Sequence, residues 1–352
     1  MSLLECPTPI VAAPMAGGPT TPELVAAVAG AGGLGFVAAG YLSADTLADR
    51  VAATRSAVSA AGGGDRYGVN LFVPEQRDVD AAAVRAYADR IAPDAERLGV
   101  TLDPEAALAA ATDDDWGAKV ELLVSDPVPV VSLTFGLPDR GDIARLQRAG
   151  SRVLATVTTA DEARRAAAAG VDGLVVQGPG AGGHSATYDP TREIELMSTV
   201  PLVHEMRSVV DLPVVAAGGV AEADDVLDLL VAGAEAVQVG TLLLRADEAG
   251  TAATHRAVLA DPAFRDPTRV ATTLTRSFTG RPARALRNDF VAAHDEAAPP
   301  AYPALHHLTR PMRQAASAAG DPHRLHLWAG TGFRAARDAP AAEIVAELTA
   351  RL

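Results

Sequence analysis

The chain contains very little cysteine and very little lysine. Cys6 is the only cysteine of the 352 residues, so the chain cannot form an internal disulfide or a zinc site with several thiolate ligands. An oxidising compartment is therefore not required. Lys119 is the only lysine among the 30 basic residues, and we interpret the preference for arginine as coding bias.

The chain also has fewer basic residues than acidic ones. The 30 basic residues are outnumbered by 44 acidic ones, which gives a formal net charge of −14. Such a chain repels nucleic acids and anionic membranes at long range, so we expect neither as a partner, and a bound anion must be met by local groups. The N-terminus has no basic segment followed by a long apolar one. We therefore expect no secretory signal and a cytoplasmic protein.

One uncharged segment, residues 24–44, is long enough to span a bilayer. Five glycines interrupt it, at positions 30, 32, 33, 35 and 40. A helix, a glycine turn and a buried strand would give the same composition, and the glycines favour that interpretation over a membrane span.

Eight short apolar runs rich in Val, Ile and Leu recur along the first 240 residues, between Ala-rich helical stretches. This alternation is typical of βα units with buried parallel strands, and eight such units predict an α/β fold of the (β/α)8 TIM-barrel type. The predicted strands are 9–13, 33–38, 67–72, 128–134, 152–157, 172–177, 213–217 and 235–240.

Two stretches do not fit a bare barrel. Residues 74–126 are charged and helical, and they predict an excursion after the third strand. Residues 245–324, after strand eight, predict an additional mostly helical domain that covers the barrel mouth. The predicted domains are therefore a barrel over 1–244, the helical domain over 245–324, and a segment over 325–352 that returns to the barrel.

Active sites of such barrels lie at the carboxyl-terminal ends of the strands. Gly218-Gly219 follows the seventh run and Gly240 follows the eighth. Glycine lets the backbone approach a phosphate closely, so these two turns predict the phosphate site common in TIM barrels, against the alternative of simple tight turns. Asn70 and Gln177 add amides that can pair with a heterocycle or a polyol.

The glycines at 178, 180 and 183 also match a dinucleotide-binding fingerprint. That fingerprint should open a helix after the first strand of its fold. Here it follows the sixth strand, and residues 184–190 show no apolar periodicity. We therefore reject this interpretation.

His184 is the strongest candidate for a catalytic residue. Imidazole can act as an acid or a base near neutral pH, and Gly182-Gly183 leave room around it. A loop histidine without a catalytic role is the alternative. No metal site is predicted, because the chain lacks cysteine partners and a His-Glu-x-x-His pattern. A Gly-x-Ser-x-Gly hydrolase elbow is absent as well.

Taken together, the strand ends resemble the nitronate monooxygenase family, formerly called 2-nitropropane dioxygenases. The resemblance covers almost the whole chain, and the joint order of its motifs is specific. The motifs lie at residues 9–15, 32–35, 68–72, 132–136, 181–184, 216–220, 237–241, 278–284 and 327–330.

The resemblance implies an FMN-dependent (β/α)8 enzyme that oxidises alkyl nitronates of the propionate 3-nitronate type. Oxygen is the co-substrate, and a carbonyl compound and nitrite are the products. It also implies His184 as the catalytic residue, and it leaves the oligomeric state open between a monomer and a homodimer. The cofactor-binding residues that it implies are Ala13, Met15, Asn70, Gln177, Gly182, Gly218, Gly219, Gln238, Val239, Gly240 and Thr241.

Four residues, at three places in the chain, depart from the family pattern and bear on substrate identity more than on FMN. Gly180 stands where Glu is common, Thr331 where Gln is usual, and Ser185-Ala186 where a small residue and Gly often occur. Arg281 and Arg284 either tie the helical domain to the barrel or form a solvated face. The competing functions are an FMN-dependent NAD(P)H:quinone or enoyl-ACP reductase of the same superfamily, and a non-catalytic FMN-binding protein.

Overall fold

The computed structural model describes residues 4, 6–75, 77–110 and 113–352. Eight parallel strands form a closed barrel, in which β1 pairs with both β2 and β9. This confirms the predicted (β/α)8 architecture. The barrel strands are β1 (Ile10–Ala12), β2 (Leu34–Ala38), β3 (Tyr67–Phe72), β4 (Val130–Thr134), β5 (Arg152–Val157), β6 (Gly173–Gln177), β8 (Val214–Ala217) and β9 (Ala236–Val239).

Helices α1 to α9 lie between these strands. Their bounds are α1 (Pro22–Gly30), α2 (Ala44–Ala60), α3 (Ala81–Glu96), α4 (Pro104–Ala109), α5 (Trp116–Ser125), α6 (Arg140–Ala149), α7 (Ala160–Ala169), α8 (Thr199–Val209) and α9 (Ala223–Val231). The uncharged segment 24–44 holds most of α1 and all of β2, as the helix-turn-strand interpretation requires. No helix in the described ranges is both long and apolar enough to cross a membrane.

Side chains that alternate along the barrel strands form two apolar sets, one on each face of the sheet. One set, which includes Val11, Phe36, Leu154 and Val215, forms a compact apolar cluster of its own. The opposite set packs against the helices in the largest core cluster. Strands that are apolar on both faces are the usual pattern of a parallel sheet covered by helices.

The chain beyond β9 contains both helices and strands. It forms α10 (Ala253–Ala260), α11 (Pro262–Arg265), α12 (Asp289–His294), α13 (Ala304–Ala319) and α14 (Ala341–Leu348), with short 3-10 turns between them. Two strands that the sequence did not predict, β10 (Thr272–Thr275) and β11 (Ala283–Leu286), form an antiparallel sheet with the short β7 (Gly183–His184). This sheet attaches the segment to the loop after β6.

The excursion after β3 and the segment after β9 share one hydrophobic core. Helix α13 contacts both α3 and α4, and side chains such as Ile91, Phe290 and Leu308 form one buried cluster. Polar contacts add to it, because Asp94 pairs with both His294 and Arg324 at 2.8 Å. We call residues 81–109 and 253–328 together the cap. The division into domains at 244 and 324 stays a prediction.

Candidate active site

A cavity of about 420 Å³ lies at the carboxyl-terminal ends of the barrel strands, under the cap. Such a volume is ordinary for a cofactor or small-molecule site. The structure brings all twelve residues of the predicted site to its wall, and their individual roles stay predictions. These residues are Ala13, Met15, Asn70, Gln177, Gly182, His184, Gly218, Gly219, Gln238, Val239, Gly240 and Thr241.

We call the strand ends and the loops directly after them the floor of the cavity. At β8 and β9 the floor offers main-chain donors, because the N–H groups of Gly219, Gly240 and Thr241 donate to no acceptor within the described ranges. Thr241 also begins a 3-10 helix. Unpaired N–H groups at the start of a helical turn attract an anion. A phosphate group therefore fits this end of the cavity.

Glycine is required by geometry at the first of these turns. Gly218 and Gly219 have φ angles of +103° and +89°, a region that other residues rarely adopt. A Cβ on Gly219 would meet only Thr199 and Thr331 hydroxyls, at 3.8 and 3.9 Å. The space beside Gly219 is thus open for a ligand, as a phosphate cradle needs.

Two of the positions that depart from the family pattern meet beside this cradle. A Cβ on Gly180 would lie 3.0 Å from Thr331 Oγ1 and 3.1 Å from Gly219 Cα, and the Thr331 N–H donates to the Gly180 carbonyl at 3.0 Å. The two departures therefore depend on each other, because a larger residue at position 180 would displace the Thr331 side chain.

A row of polar side chains crosses the floor on the opposite side. Asn70 is 2% exposed, and its Nδ2 donates to the hydroxyls of Ser132 and Thr134, both at 2.9 Å. The hydroxyls of Thr134 and Thr156 lie 3.4 Å apart. All four residues line the cavity. The three hydroxyls were not predicted from the sequence, although Ser132 and Thr134 belong to the motif at 132–136.

Gln177 holds the loop that carries His184. Its Nε2 donates to the His184 carbonyl at 3.1 Å, and its Oε1 accepts from the Ala186 N–H at 2.8 Å. Both ends of the amide are thus engaged by the protein. The structure shows a positioning role for Gln177, while cofactor contact by its remaining N–H stays a prediction.

His184 lies where the floor meets the cap. Its backbone pairs with Ala283 of β11, and its Nε2 lies 2.9 Å from the Thr279 hydroxyl. Phe135, Tyr302 and Trp328 surround the ring at centroid distances of 5.5 to 5.9 Å. Burial, and then the charges of two arginines, lowers the pKa of His184 to about 3. The imidazole is therefore neutral at pH 7 and able to accept a hydrogen bond or a proton.

Arg281 and Arg284 tie the β10–β11 sheet to the barrel. Arg281 is fully buried, forms an ion pair with Glu75 at 2.8 Å, and donates to the Thr187 carbonyl. Arg284 Nε donates to the Pro179 carbonyl at 2.6 Å. The solvated-face alternative for these two arginines is therefore wrong.

Two aromatic residues of the cavity wall have left-handed backbones, Tyr41 with φ +67° and Phe135 with φ +80°. Such outliers persist only where surrounding contacts hold them. For Tyr41 that contact is Asp114, which accepts its N–H at 2.8 Å and binds Lys119 Nζ at 2.7 Å. Lys119 is 1% exposed and also donates to the Ala39 carbonyl. The single lysine is therefore structural.

The cap contributes a second group of lining residues that the sequence analysis did not single out for the site. It includes His255, Thr279, His306, Arg310, Arg313, Gln314, His326 and Trp328. The ring of His306 stacks on Tyr41 at a centroid distance of 3.8 Å. The spacing of His306, Arg310 and Arg313 predicts that they share one helix face. The sequence does not show that this face lines the cavity, because that depends on how α13 packs in the fold.

The chain is similar to known proteins over almost its whole length. Residues 2–351 match the family described as nitronate monooxygenase. The chain belongs to this family. Members of the nitronate monooxygenase family are flavin-dependent oxidoreductases, so the protein is an enzyme. A relative from Staphylococcus aureus, described as a probable nitronate monooxygenase, is 33% identical over 98% of this chain and 94% of its own length.

Solved structures give the same result. Nitroalkane oxidase from Streptomyces ansochromogenes is similar with a TM-score of 0.90 and 45% identity, over 99% of this chain and 97% of that one. FabK from Thermotoga maritima is similar with a TM-score of 0.71 and 26% identity, over 98% and 93% of the two chains. The nitronate monooxygenase fold therefore extends over the cap as well as the barrel.

Proposed function

We propose that the protein is an FMN-dependent nitronate monooxygenase that converts alkyl nitronates and O2 into a carbonyl compound and nitrite. One observation carries the proposal: the twelve predicted residues, which lie at or after the ends of five different barrel strands, line one cavity, and His184 is among them. Family membership and the similarity to a nitroalkane oxidase support the same class of reaction.

The residues present fit a flavin mononucleotide. The free N–H groups of Gly219, Gly240 and Thr241 would bind its single phosphate, and the open space beside Gly219 would admit it. The polar row from Asn70 to Thr156 offers partners for a heterocycle or a ribityl chain. When bound, FMN supplies the redox capacity of the reaction, which no side chain of the cavity provides.

The chain's own residues would bind and orient the substrate. His184 is neutral, so it can accept a proton from a nitroalkane or share a hydrogen bond with the nitro group. Thr279 fixes the imidazole through Nε2, and Gln177 fixes the loop behind it. Three aromatic side chains surround the imidazole.

The first test is the cofactor. The purified protein is expected to be yellow and to release FMN, and not FAD, on denaturation, because the cavity has one phosphate end. Chromatography of the released cofactor measures this. A colourless protein that FMN cannot reconstitute contradicts the proposal.

The second test separates the oxidase from a reductase, the alternative that the similarity to FabK favours. Under anaerobic conditions, propionate 3-nitronate is expected to bleach the visible spectrum of the flavin, whereas NADH leaves it unchanged. Bleaching by NADH and not by the nitronate establishes the reductase. Bleaching by neither substrate supports a non-catalytic flavin-binding protein.

A further inference from the structure

We call the part of the cavity wall that α10, α13 and the segment after them contribute the arm. It is formed by His255, Arg310, Arg313, Gln314, Ser317 and His326. Arg310 and Gln314 are exposed, while Arg313 is only 6% exposed. The arm therefore combines a buried guanidinium with residues that reach solvent.

The guanidinium of Arg313 is held rigidly. Its Nε donates to the Thr309 hydroxyl at 3.0 Å, and one terminal nitrogen donates to the His306 carbonyl at 2.8 Å. The other terminal nitrogen lies 3.4 Å from His326 Nε2 and makes no other hydrogen bond within the described ranges. Because that nitrogen carries two hydrogens, at least one N–H remains available.

No carboxylate balances this charge. Arg313 forms no ion pair with the residues that the structure describes, and its electrostatic neighbours are Tyr41 and Arg310. Burial lowers the pKa of Arg313 to about 10, so the side chain is still charged at pH 7. An isolated buried charge is costly, and a bound anion would offset that cost.

The other buried arginines show what is unusual here. Arg281 pairs with Glu75, and Arg245 pairs with Asp338 at 2.5 Å. Arg284 has only a carbonyl and a hydroxyl as partners, but it does not line the cavity. Arg313 alone among the four combines burial, the lack of a carboxylate and a place on the cavity wall.

Two histidines of the same arm have unused nitrogens. His326 Nδ1 and His255 Nε2 are buried, and neither has a hydrogen-bond partner in the part of the chain that the structure covers. Since His326 Nε2 accepts from Arg313, its proton lies on Nδ1 and leaves a free donor. Unsatisfied buried polar atoms at functional sites commonly mark the position of a ligand.

We propose that Arg313 is an anion receptor that binds the carboxylate of a small organic acid in this arm. The arm lies beside Tyr41 and His184, whereas the phosphate cradle belongs to the turns after β8 and β9. The anion is therefore assigned to the substrate and not to the cofactor. This inference deepens the proposed function. The identification of the anion as a substrate rests on that function, whereas the binding of an anion by Arg313 does not.

Calorimetric titration of the flavin-loaded protein with butanoate tests the receptor without turnover. Butanamide is the matched probe, since it has the same chain and no charge. Butanoate is expected to bind the wild-type protein at least tenfold more tightly than butanamide. Arg313→Met should remove that preference and leave butanamide binding unchanged, while Arg313→Lys should retain part of it. Arg337→Met, an exposed arginine of the C-terminal region paired with Glu343 and Glu347, is the control.

Several outcomes overturn the inference. Equal affinity of the wild-type protein for butanoate and butanamide contradicts the inference. This comparison needs no variant, so it holds even if neither Arg313 variant folds. Unchanged butanoate binding by Arg313→Met contradicts the inference as well. Loss of FMN by Arg313→Met, with displacement of butanoate by inorganic phosphate, would assign the guanidinium to the cofactor phosphate. Failure to oxidise nitronates, with butanoate binding intact, contradicts the proposed function but leaves the receptor standing.

Discussion

At the turns after β8 and β9 the floor of the cavity presents main-chain groups, whereas the cap presents side chains. The groups at these two turns are the N–H donors of Gly219, Gly240 and Thr241. The cap contributes imidazoles, indole and guanidinium from α10, α13 and the segment after them. The two halves therefore offer different chemistry to a ligand.

This difference has a physical basis. Main-chain donors at strand ends are positioned by the barrel ladder itself, so they keep one geometry whichever side chains surround them. The positions of the cap side chains depend on how its helices pack against one another and against the barrel. A floor of this kind suits a constant cofactor, and a cap of charged and titratable groups suits a variable substrate.

Replacement of His184 is expected to have the largest effect, because this residue joins the two halves. His184→Ala should keep FMN and lose about a hundred- to ten-thousandfold in kcat/KM with a neutral nitroalkane, as removal of a general base does. A preformed nitronate, which has already lost its proton, should lose less. Steady-state rates with both forms of one nitroalkane measure this.

Thr279→Val is the matched control, since it removes the hydrogen bond to His184 Nε2 and leaves the imidazole in place. We expect a loss of about tenfold, as for a positioning residue. Equal losses with the neutral and anionic substrates would show that His184 is not the base. No loss with either substrate would remove it from the reaction.

Acid should weaken the cap more than the floor. Burial lowers the pKa of His255 to about 4 and holds the pKa values of His306 and His326 well below their usual range. Above pH ~6.5, the pKa of histidine in the unfolded chain, these imidazoles are neutral in both states. Below that pH the unfolded chain takes up protons that the folded one does not, so the folded state loses stability as the pH falls towards the folded pKa. At pH ~5.5, one unit below the unfolded pKa, His255 alone withdraws about 1.4 kcal/mol, and His306 and His326 add to this loss.

Urea unfolding at two pH values checks this expectation. Trp328 fluorescence, in a Trp116→Phe background, reports on the cap. The midpoint should fall on acidification, and His255→Leu should reduce the shift. His204→Gln is the control, because His204 is exposed on α8. A midpoint that does not change between the two pH values would contradict the prediction.

The buried ion pair behind Tyr41 should matter less, and mainly for stability. Lys119→Met leaves Asp114 without its partner and is expected to cost about 3 kcal/mol of unfolding free energy. It should also loosen Tyr41, whose N–H is held by the same carboxylate. Chemical denaturation measures the loss. Lys119→Arg keeps the charge, so an equal loss in both variants would indicate packing and not the ion pair as the cause.

The smallest effect is expected in the phosphate cradle. Gly240→Val and Gly219→Val should weaken FMN binding by at least tenfold, about 1.4 kcal/mol. Gly240→Ala is the sharper variant: Gly240 has an ordinary φ of −117°, and its new Cβ would lie 3.3 Å from the Ala13 Cβ. Flavin fluorescence titration measures the affinity.

Gly141→Ala serves as the control in that experiment, because a Cβ at this position of α6 meets no atom within 4 Å. It should bind FMN as the parent does. Unchanged affinity in both Gly240 variants would place the phosphate elsewhere.

Sequence alone predicted the floor well and the cap poorly. Each barrel strand lies within its predicted run, because a strand buried on both faces must be apolar throughout. Strand ends then indicate which residues converge, so His184 and the glycine turns could be named. β10 and β11 were missed because each is only four residues long, and the strand that joins them to the barrel loop, β7, has two residues and lies far away in the sequence.

Arg313 illustrates the other limit. On a helix rich in arginine and histidine, this residue cannot be distinguished from a solvated one by its neighbours in sequence. Its burial arises from contacts with Thr309, His306 and His326, and the last of these lies on a separate segment of the cap. Only the docked fold shows that its charge is not neutralised.

The burial of Lys119 has a practical consequence. Because its Nζ is the only ε-amino group of the sequence and lies within an ion pair, amine-reactive dyes, cross-linkers and immobilisation resins have no accessible lysine on the folded enzyme. Labelling of Lys119 would therefore report opening of the contact between α5 and the loop after β2. When modification at Lys119 is measured separately from that of the α-amino terminus, a conventional protein-chemistry reagent becomes a probe of native-state unfolding beside the cavity.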